Sequence, residues 1–406
     1  MLPIFSRRKR PMHQGKYPMH KIKRVDQPTT LIIDDEVQRS PMRANGFFRA
    51  AHGDFGDRPA AEVKRFIKKS PISAAFSEVG KHLIKAQDGE VAAEVAPISN
   101  DPQKLSEHIK SLSYFLDADL TGICEAKDYC WYSHDKHGKV IEPYHSHAIV
   151  MIIDQGFTTM DSASGDDWIS GAQSYRAYVR GAEIADIVAD YIRRLGFPAR
   201  AHTNFDSHVQ HVPLSLLAGL GEMSRIGEMV VNPFVGPRLK TVVVTTDMPL
   251  QIDKPIDFGA ENFCQDCKIC ADMCPSQAIS HAENTKGMEL RGYQHWYMDT
   301  SKCYNYWMEA LEPLGCRLCI TNCVYSRKNN WVHGIGRVVD PVDPTGLMAK
   351  TLLWMQKSFF ELPEAKKFRK PPDGCFASYR QPPEWLRTET WFTAKTINPQ
   401  LMCSKI

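Results

Sequence analysis

Eight cysteines between positions 264 and 323 are the residues whose types and spacing most clearly imply chemistry. The first four, Cys264, Cys267, Cys270 and Cys274, follow a C-x2-C-x2-C-x3-C-P pattern that closes on Pro275. The second four are Cys303, Cys316, Cys319 and Cys323. The first of these is displaced upstream, and Val324 rather than proline follows the last. Two-residue gaps let successive thiolates turn toward one centre, while the fourth cysteine of such a run reaches the neighbouring cluster. The pattern predicts two [4Fe–4S] clusters with exchanged ligands. Cys264, Cys267, Cys270 and Cys323 hold one; Cys274, Cys303, Cys316 and Cys319 hold the other. Zinc prefers two separated C-x2-C pairs and fits this run poorly. Such clusters move single electrons, so redox chemistry is implied, but not what is reduced. Cys124, Cys130, Cys375 and Cys403 are scattered and read as inert thiols.

Those ligands need a scaffold. The chain has 406 residues, 43% hydrophobic and 24% charged, which suffices for two or three globular domains. The net charge of +3 is too small to imply a polyanion, so no nucleic-acid partner is expected. Charge is concentrated from Ser6 to Arg24, with eight Lys/Arg and no acid. Ser6-Arg7-Arg8-Lys9 looks superficially like a twin-arginine signal, but no apolar segment follows it, and a cytoplasmic protein is expected. The apolar run Ala148–Ile153 is far shorter than the roughly 20 residues of a membrane helix.

Apolar spacing predicts helices over 61–85, 103–116 and 173–195, the last ended by Gly196, and strands at Ala148–Ile153 and Thr241–Thr246. In the 173–195 helix, Ile184, Ile187, Val188, Tyr191, Ile192 and Leu195 form one apolar face. Tyr178, Gly181, Ala182, Ala185 and Ala189 form a face of smaller residues, which reads as close packing. Helices alternate with strands over about 100–250, which favours an α/β (α+β) domain. Expected boundaries are an arm (1–60), a catalytic α/β domain (61–250), a cluster domain (251–345) and a surface tail (346–406). Gly219 to Gly227 is a glycine-rich turn without G-x-G-x-x-G spacing. Its glycines allow close backbone approach to a cofactor. Tyr129, Trp131 and Tyr132 suit either an apolar pocket or ordinary core packing.

The order of these segments resembles the corrinoid- and iron–sulfur-dependent reductive dehalogenases, which are related to epoxyqueuosine reductase. The residues that carry the resemblance are KRVDQPTT (23–30), Tyr178 with YIRRLGF (191–197), Asn204, AGLGEMSRIGEMVVNPFVGPRL (218–239), MPLQIDKPIDFG (248–259) and the two cysteine sets. The resemblance implies a nitroreductase-like core holding base-off cobalamin, with a ferredoxin-like domain carrying two [4Fe–4S] clusters. It implies replacement of a carbon-bound halogen by hydrogen, with Tyr178 as proton donor, Arg238 as its supporting arginine and Asn204 in the pocket. Corrinoid contacts are expected at Gly219, Gly221, Ser224, Arg225 and Gly227. The implied partners are an organohalide and a separate ferredoxin or flavodoxin, since no fused reductase module is visible. The chain departs from the family at Cys323-Val324 and in lacking a full twin-arginine signal. Asp206 to His211 is an incomplete D-x-H-x-x-G motif, so His208 and His211 are expected to be polar loop residues and no protein ligand to cobalt is expected. Two other readings compete: an epoxyqueuosine reductase-like enzyme acting on tRNA, and an electron-transfer protein that uses only the clusters.

Overall fold

The two apolar runs marked as strands lie side by side at the centre of one sheet. The computed structural model describes residues 17–66, 71–163, 169–282, 289–290, 292–311, 315–326 and 345–359. In chain order, strand β1 (Lys23–Arg24) is followed by helices α1 (Gly46–Ala51), α2 (Asp57–Phe66), α3 (Pro71–Leu83) and α4 (Pro102–Phe115). Strands β2 (Leu120–Glu125) and β3 (His147–Asp154), helices α5 (Phe157–Ser162) and α6 (Ser170–Arg194), strand β4 (Ala199–His202) and helix α7 (His211–Leu217) come next. Strands β5 (Glu222–Met223), β6 (Val230–Val231), β7 (Leu239–Thr246) and β8 (Ile256–Asp257) lead into the cysteine-rich part. That part carries helices α8 (Ala260–Cys267), α9 (Ile269–Asp272), α10 (Thr300–Asn305) and α11 (Leu318–Asn322); α12 (Leu347–Phe359) follows.

The main sheet runs β2-β3-β7-β4, and every pairing in it is antiparallel. Alternating helices and strands therefore build an α+β layer here rather than parallel crossovers. Register places Val150 opposite Val243 and Ile152 opposite Thr241. Successive side chains in a strand point to opposite faces. Ile149, Met151, Ile153, Val242 and Val244 face α6, while Ala148, Val150, Ile152 and Val243 join a second core with Trp131, Leu214 and Phe258.

Helix α6 fits the sheet through its small residues. A Cβ on Gly181 would lie 3.3 Å from Ile153 and 3.5 Å from Val242. Ala185 and Ala189 pack in the same cluster as Ile184, Val188 and Ile192, so the small and large faces serve one core. Each such aliphatic side chain contributes about 1.5–3 kcal/mol on burial. Ile187, assigned to the apolar face by its spacing, is 43% exposed. Gly196, at φ +91, ends the helix in a conformation costly for other residues. At α4, the Asp101 side chain accepts from Gln103 N at 3.0 Å and Pro102 occupies the first turn.

The N-terminal arm is partly woven into the rest. β1 pairs with β8, and Phe47 and Phe66 meet Tyr304 and Trp307 at ring separations of 5.0 and 5.7 Å. Part of the expected surface tail, including Cys375 and Cys403, lies outside the described residues. Among the described residues no helix is long and apolar enough to cross a membrane.

Candidate active site and its cysteine sets

The cysteine loops repeat one local design. Cys267 is followed by Lys268 at φ +52 and Cys316 by Arg317 at φ +58; each left-handed residue then starts the short helix, α9 or α11, that carries Cys270 or Cys319. The backbone N–H of Ile269 donates to the Cys267 sulfur, and that of Leu318 to the Cys316 sulfur. Helices α9 and α11 pack against each other. Burial raises the thiol pKa values of Cys264, Cys267, Cys270, Cys303, Cys316 and Cys319, and at Cys264, Cys270, Cys303 and Cys319 neighbouring thiolates add to the rise. The repulsions group the cysteines. Cys264 is raised by Cys267 and Cys323, and Cys270 by Cys264, Cys323 and Cys267. Cys303 is raised by Cys316 and Cys274, and Cys319 by Cys316, Cys303 and Cys274. Cys270 also feels Cys319, which links the two groups. Among the described residues no three His, Cys, Asp or Glu side chains form a group that could hold a single metal ion. Thiolates on separate irons of a cluster stand farther apart than four ligands on one zinc at about 2.3 Å each.

The glycine-rich turn meets the protein itself. A Cβ on Gly219 (φ +66) would fall 2.2 Å from the Lys254 carbonyl oxygen, and one on Gly221 would fall 2.4 Å from that of Val231. One on Gly227 (φ +96) would fall 2.8 Å from the Trp296 carbonyl oxygen. Ser224 Oγ donates to the Met229 carbonyl at 2.9 Å. Arg225 donates to the carbonyls of Cys264, Gln265, Ser280 and Ala282, and its guanidinium lies 4.8 Å from the Trp296 ring centroid. Of these five positions, expected to touch the corrinoid, Gly221 and Ser224 close the β5–β6 hairpin on itself, while Gly219, Arg225 and Gly227 meet its protein neighbours. Glu222 adds to that junction, accepting from the backbone N–H groups of Phe258 and Glu261 at the head of α8.

Tyr178 lies half-buried on α6. The Lys240 ammonium stands 4.8 Å from its ring centroid, and Tyr175 meets it edge-on at 6.1 Å. Arg317, from the second cysteine loop, donates to Ser170 Oγ and to Ser174 Oγ (2.9 Å) on the same helix. Burial lowers the Arg317 guanidinium to about 10, opposed by the acidic groups of Tyr178 and Cys316. The Tyr304 phenol is raised by burial first, then by Cys303, Glu228 and Tyr178. Tyr178, Tyr304 and Arg317 thus gather beside the second cysteine set.

Arg238, expected to support Tyr178, is held by a carboxylate. Its guanidinium pairs with Asp154 at 2.9 and 3.3 Å and donates to the Ser326 carbonyl. Tyr17 donates to the same carboxylate at 3.2 Å. The Lys240 ammonium stands over the Tyr178 ring instead. Lys240 follows Arg238 by two positions, and as a strand residue carried no distinguishing signal in the sequence. Arg317 was hidden between two cluster cysteines. Asn204 is exposed in the turn after β4; the next residue, Phe205, reaches Tyr175 at a ring separation of 6.3 Å.

The aromatic residues ahead of β3 are core. Trp131 is fully buried and donates to the Ala126 carbonyl, and Tyr129 is 5% exposed. His211 is no loop residue: it begins α7, contacts Thr241 and Ser207, and burial lowers its pKa to about 4. Two buried acceptors, Asn305 Oδ1 and Ser326 Oγ, lack hydrogen-bond partners among the described residues. They lie two residues after Cys303 and three after Cys323. Acceptors of this kind fit the amide N–H groups that fringe a corrin.

Residues 263–326 match the family of 4Fe-4S dicluster domains. The chain is 32% identical over 202 residues to a tetrachloroethene reductive dehalogenase of Desulfitobacterium hafniense (strain Y51), covering 48% of this chain and 35% of the relative. It is 37% identical over 158 residues to the tetrachloroethene reductive dehalogenase of Sulfurospirillum multivorans, covering 38% of this chain and 30% of the relative. Among solved structures, the catabolic reductive dehalogenase NpRdhA matches with a TM-score of 0.81 and 41% identity over 86% of this chain and 50% of that one. NpRdhA is also known in complex with 3-bromo-4-hydroxybenzoic acid. The matches cover about a third of the length of these curated relatives and half of that solved chain. The resemblance to reductive dehalogenases read from the sequence is thus found again in curated relatives and in solved structures.

Proposed function

We propose that this chain carries the catalytic core and cluster domain of a corrinoid-dependent reductive dehalogenase. The observation that carries this reading is the grouping of Tyr178, the Lys240 cation and Arg317 beside the second cysteine set. Replacing halogen by hydrogen consumes two electrons and one proton and releases halide. Cobalamin, when bound, supplies a strongly reducing cobalt centre. The chain's own residues do the rest. Cys264, Cys267, Cys270 and Cys323 hold one [4Fe–4S] cluster, and Cys274, Cys303, Cys316 and Cys319 hold the other, so electrons enter singly. Tyr178 holds the proton at its phenol oxygen and delivers it as carbanion character grows on the substrate. Lys240, over the ring, stabilises the phenolate left behind. Arg317 fixes the second cluster loop to α6 through Ser170 and Ser174, and Asn204 lies at the substrate edge. Arg238 is assigned to holding Asp154. Asn305 and Ser326 hold corrinoid amides. A separate reduced ferredoxin or flavodoxin is the proposed donor and an organohalide the substrate.

The test is anaerobic purification with cobalamin present, followed by cofactor extraction, iron counting and a halide-release assay with a reduced viologen. The substrate panel includes a halophenol and a chloroethene. The expected result is about one corrinoid and about eight irons per chain, with halide released. Clusters without corrinoid or halide release would make the chain an electron carrier; salt-sensitive tRNA binding would favour the tRNA-modifying alternative.

A further inference from the structure

We propose that a cavity between α4 and the N-terminal segment, away from the cysteine sets, binds a small carboxylate that also carries a hydroxyl or amino group. The cavity has a volume of about 270 Å³, and its walls include Arg24, Glu107, Lys110, Tyr114, Thr121 and Asp253. At roughly 30 Å³ per water, that is room for several non-hydrogen atoms.

Its polar groups are held in place before any ligand arrives. Arg24 is anchored by its NH1 group, which donates to the carbonyls of Lys254 (2.8 Å) and Gly219 (3.3 Å); among the described residues its Nε and NH2 groups make no hydrogen bond. Arg24 keeps part of its surface in solvent, so an incoming anion can reach its guanidinium. Lys110 pairs with Asp253 at 2.6 Å, and Asp253 also accepts from the backbone N–H of Ile123. Thr121 is 7% exposed, and its hydroxyl oxygen has no hydrogen-bond partner. A buried hydroxyl without a partner is costly unless something else satisfies it. The backbone N–H of Thr121 donates to Tyr114 Oη at 3.2 Å, which fixes that phenol at the same wall. Glu107 is steadied by Gln103 Nε2 at 3.1 Å.

The charges select the ligand. Arg24 and Lys110, with His20 also on the wall, are offset by Asp253 and Glu107, so the cavity offers little net charge to draw a phosphate dianion. A carboxylate fits Arg24 and the Thr121 hydroxyl, and a ligand donor fits Glu107.

Calorimetric titration of the full chain, with its clusters reconstituted, against glycine, lactate, acetate and inorganic phosphate tests this. Glycine or lactate is expected to bind about tenfold more tightly than acetate, with phosphate weakest. Thr121→Val is expected to weaken binding about tenfold while leaving the ligand-free Tm unchanged or higher, because only an unsatisfied hydroxyl is lost. Arg24→Lys, which keeps the charge and loses the planar fork, is expected to weaken binding to a similar degree. The proposal is overturned if none of the four binds by about 10 mM or if phosphate binds best. It is equally overturned if Thr121→Val lowers the ligand-free Tm and keeps full affinity.

Discussion

The two cysteine sets share a turn and differ in what surrounds it. In the first, the left-handed residue is Lys268, half-buried, and the loop is tied to the β5–β6 hairpin by Arg225 through four backbone carbonyls. Burial raises the Cys267 thiol to about 11, and Lys357 of α12 offsets part of that rise. In the second, the left-handed residue is Arg317, buried and bonded to the helix that carries Tyr178. One set is clamped by a single arginine side chain that reaches the carbonyls of Cys264 and Gln265 and, beyond the run, those of Ser280 and Ala282. The other is joined through Arg317 to Ser170 and Ser174 on the helix that carries Tyr178. The same turn therefore sits in two settings, one held near α8 by an arginine side chain and the other tied to the helix that carries Tyr178.

The sharpest test of that division removes a single oxygen. Tyr178→Phe is expected to lower kcat by about 10² to 10⁴ while iron and corrinoid content stay at the parent level. Full activity in this variant would remove Tyr178 from the mechanism and leave the second set with no chemical role distinct from the first. Next in size is Arg225→Ala, which strands four carbonyls and opens the clamp on the first set. Several kcal/mol of stability are expected to go, read as a lower urea midpoint and as iron lost first from one cluster in electron paramagnetic resonance. A variant with both clusters intact and full stability would show that the clamp is dispensable. Lys240→Met should lower kcat about tenfold with little change in KM, and Lys240→Arg should recover most of it. If KM alone rises, Lys240 holds substrate rather than assisting Tyr178.

Sequence legibility divides along the same line. The cysteine sets were readable because cluster ligands sit on short loops, and spacing alone encodes how thiolates converge. In the fold Cys323 lies near Cys264 and Cys270, and Cys274 near Cys303 and Cys319. Strands β3 and β7 and helix α6 were readable because long apolar runs have a period. The surroundings of Tyr178 were not, because α6, β7 and the second cysteine loop meet only in three dimensions. Lys240 is one of several lysines along the chain, and Arg238, two positions earlier, matched a motif but turns to Asp154. The glycines at 219, 221 and 227 were read as allowing close approach to a cofactor, and each lies close to other parts of the chain. What approaches is backbone or side chain of the same protein, and composition cannot identify the neighbour.

The smallest effect concerns the head of α8, where the first set begins. Glu222 is 1% exposed, and burial raises its carboxyl from the ordinary 4.5 to about 8, against the pull of the Phe258 and Glu261 N–H donors. Below pH 4.5 both the folded and the unfolded chain hold this proton. Between 4.5 and about 8 only the folded chain holds it, so unfolding releases a proton and stability falls as pH rises through that window. Glu222→Gln cannot titrate. Its stability relative to the parent should therefore improve with pH by up to about 1.4 kcal/mol per unit, read from anaerobic urea midpoints between about pH 6 and 8. Other titrating groups act on both proteins and cancel in the difference. Parallel curves would mean that Glu222 is already ionised in the folded state, its charge carried by the two backbone donors. The first set would then start from a fixed negative charge, unlike the second, whose loop residue Arg317 brings a buried positive one.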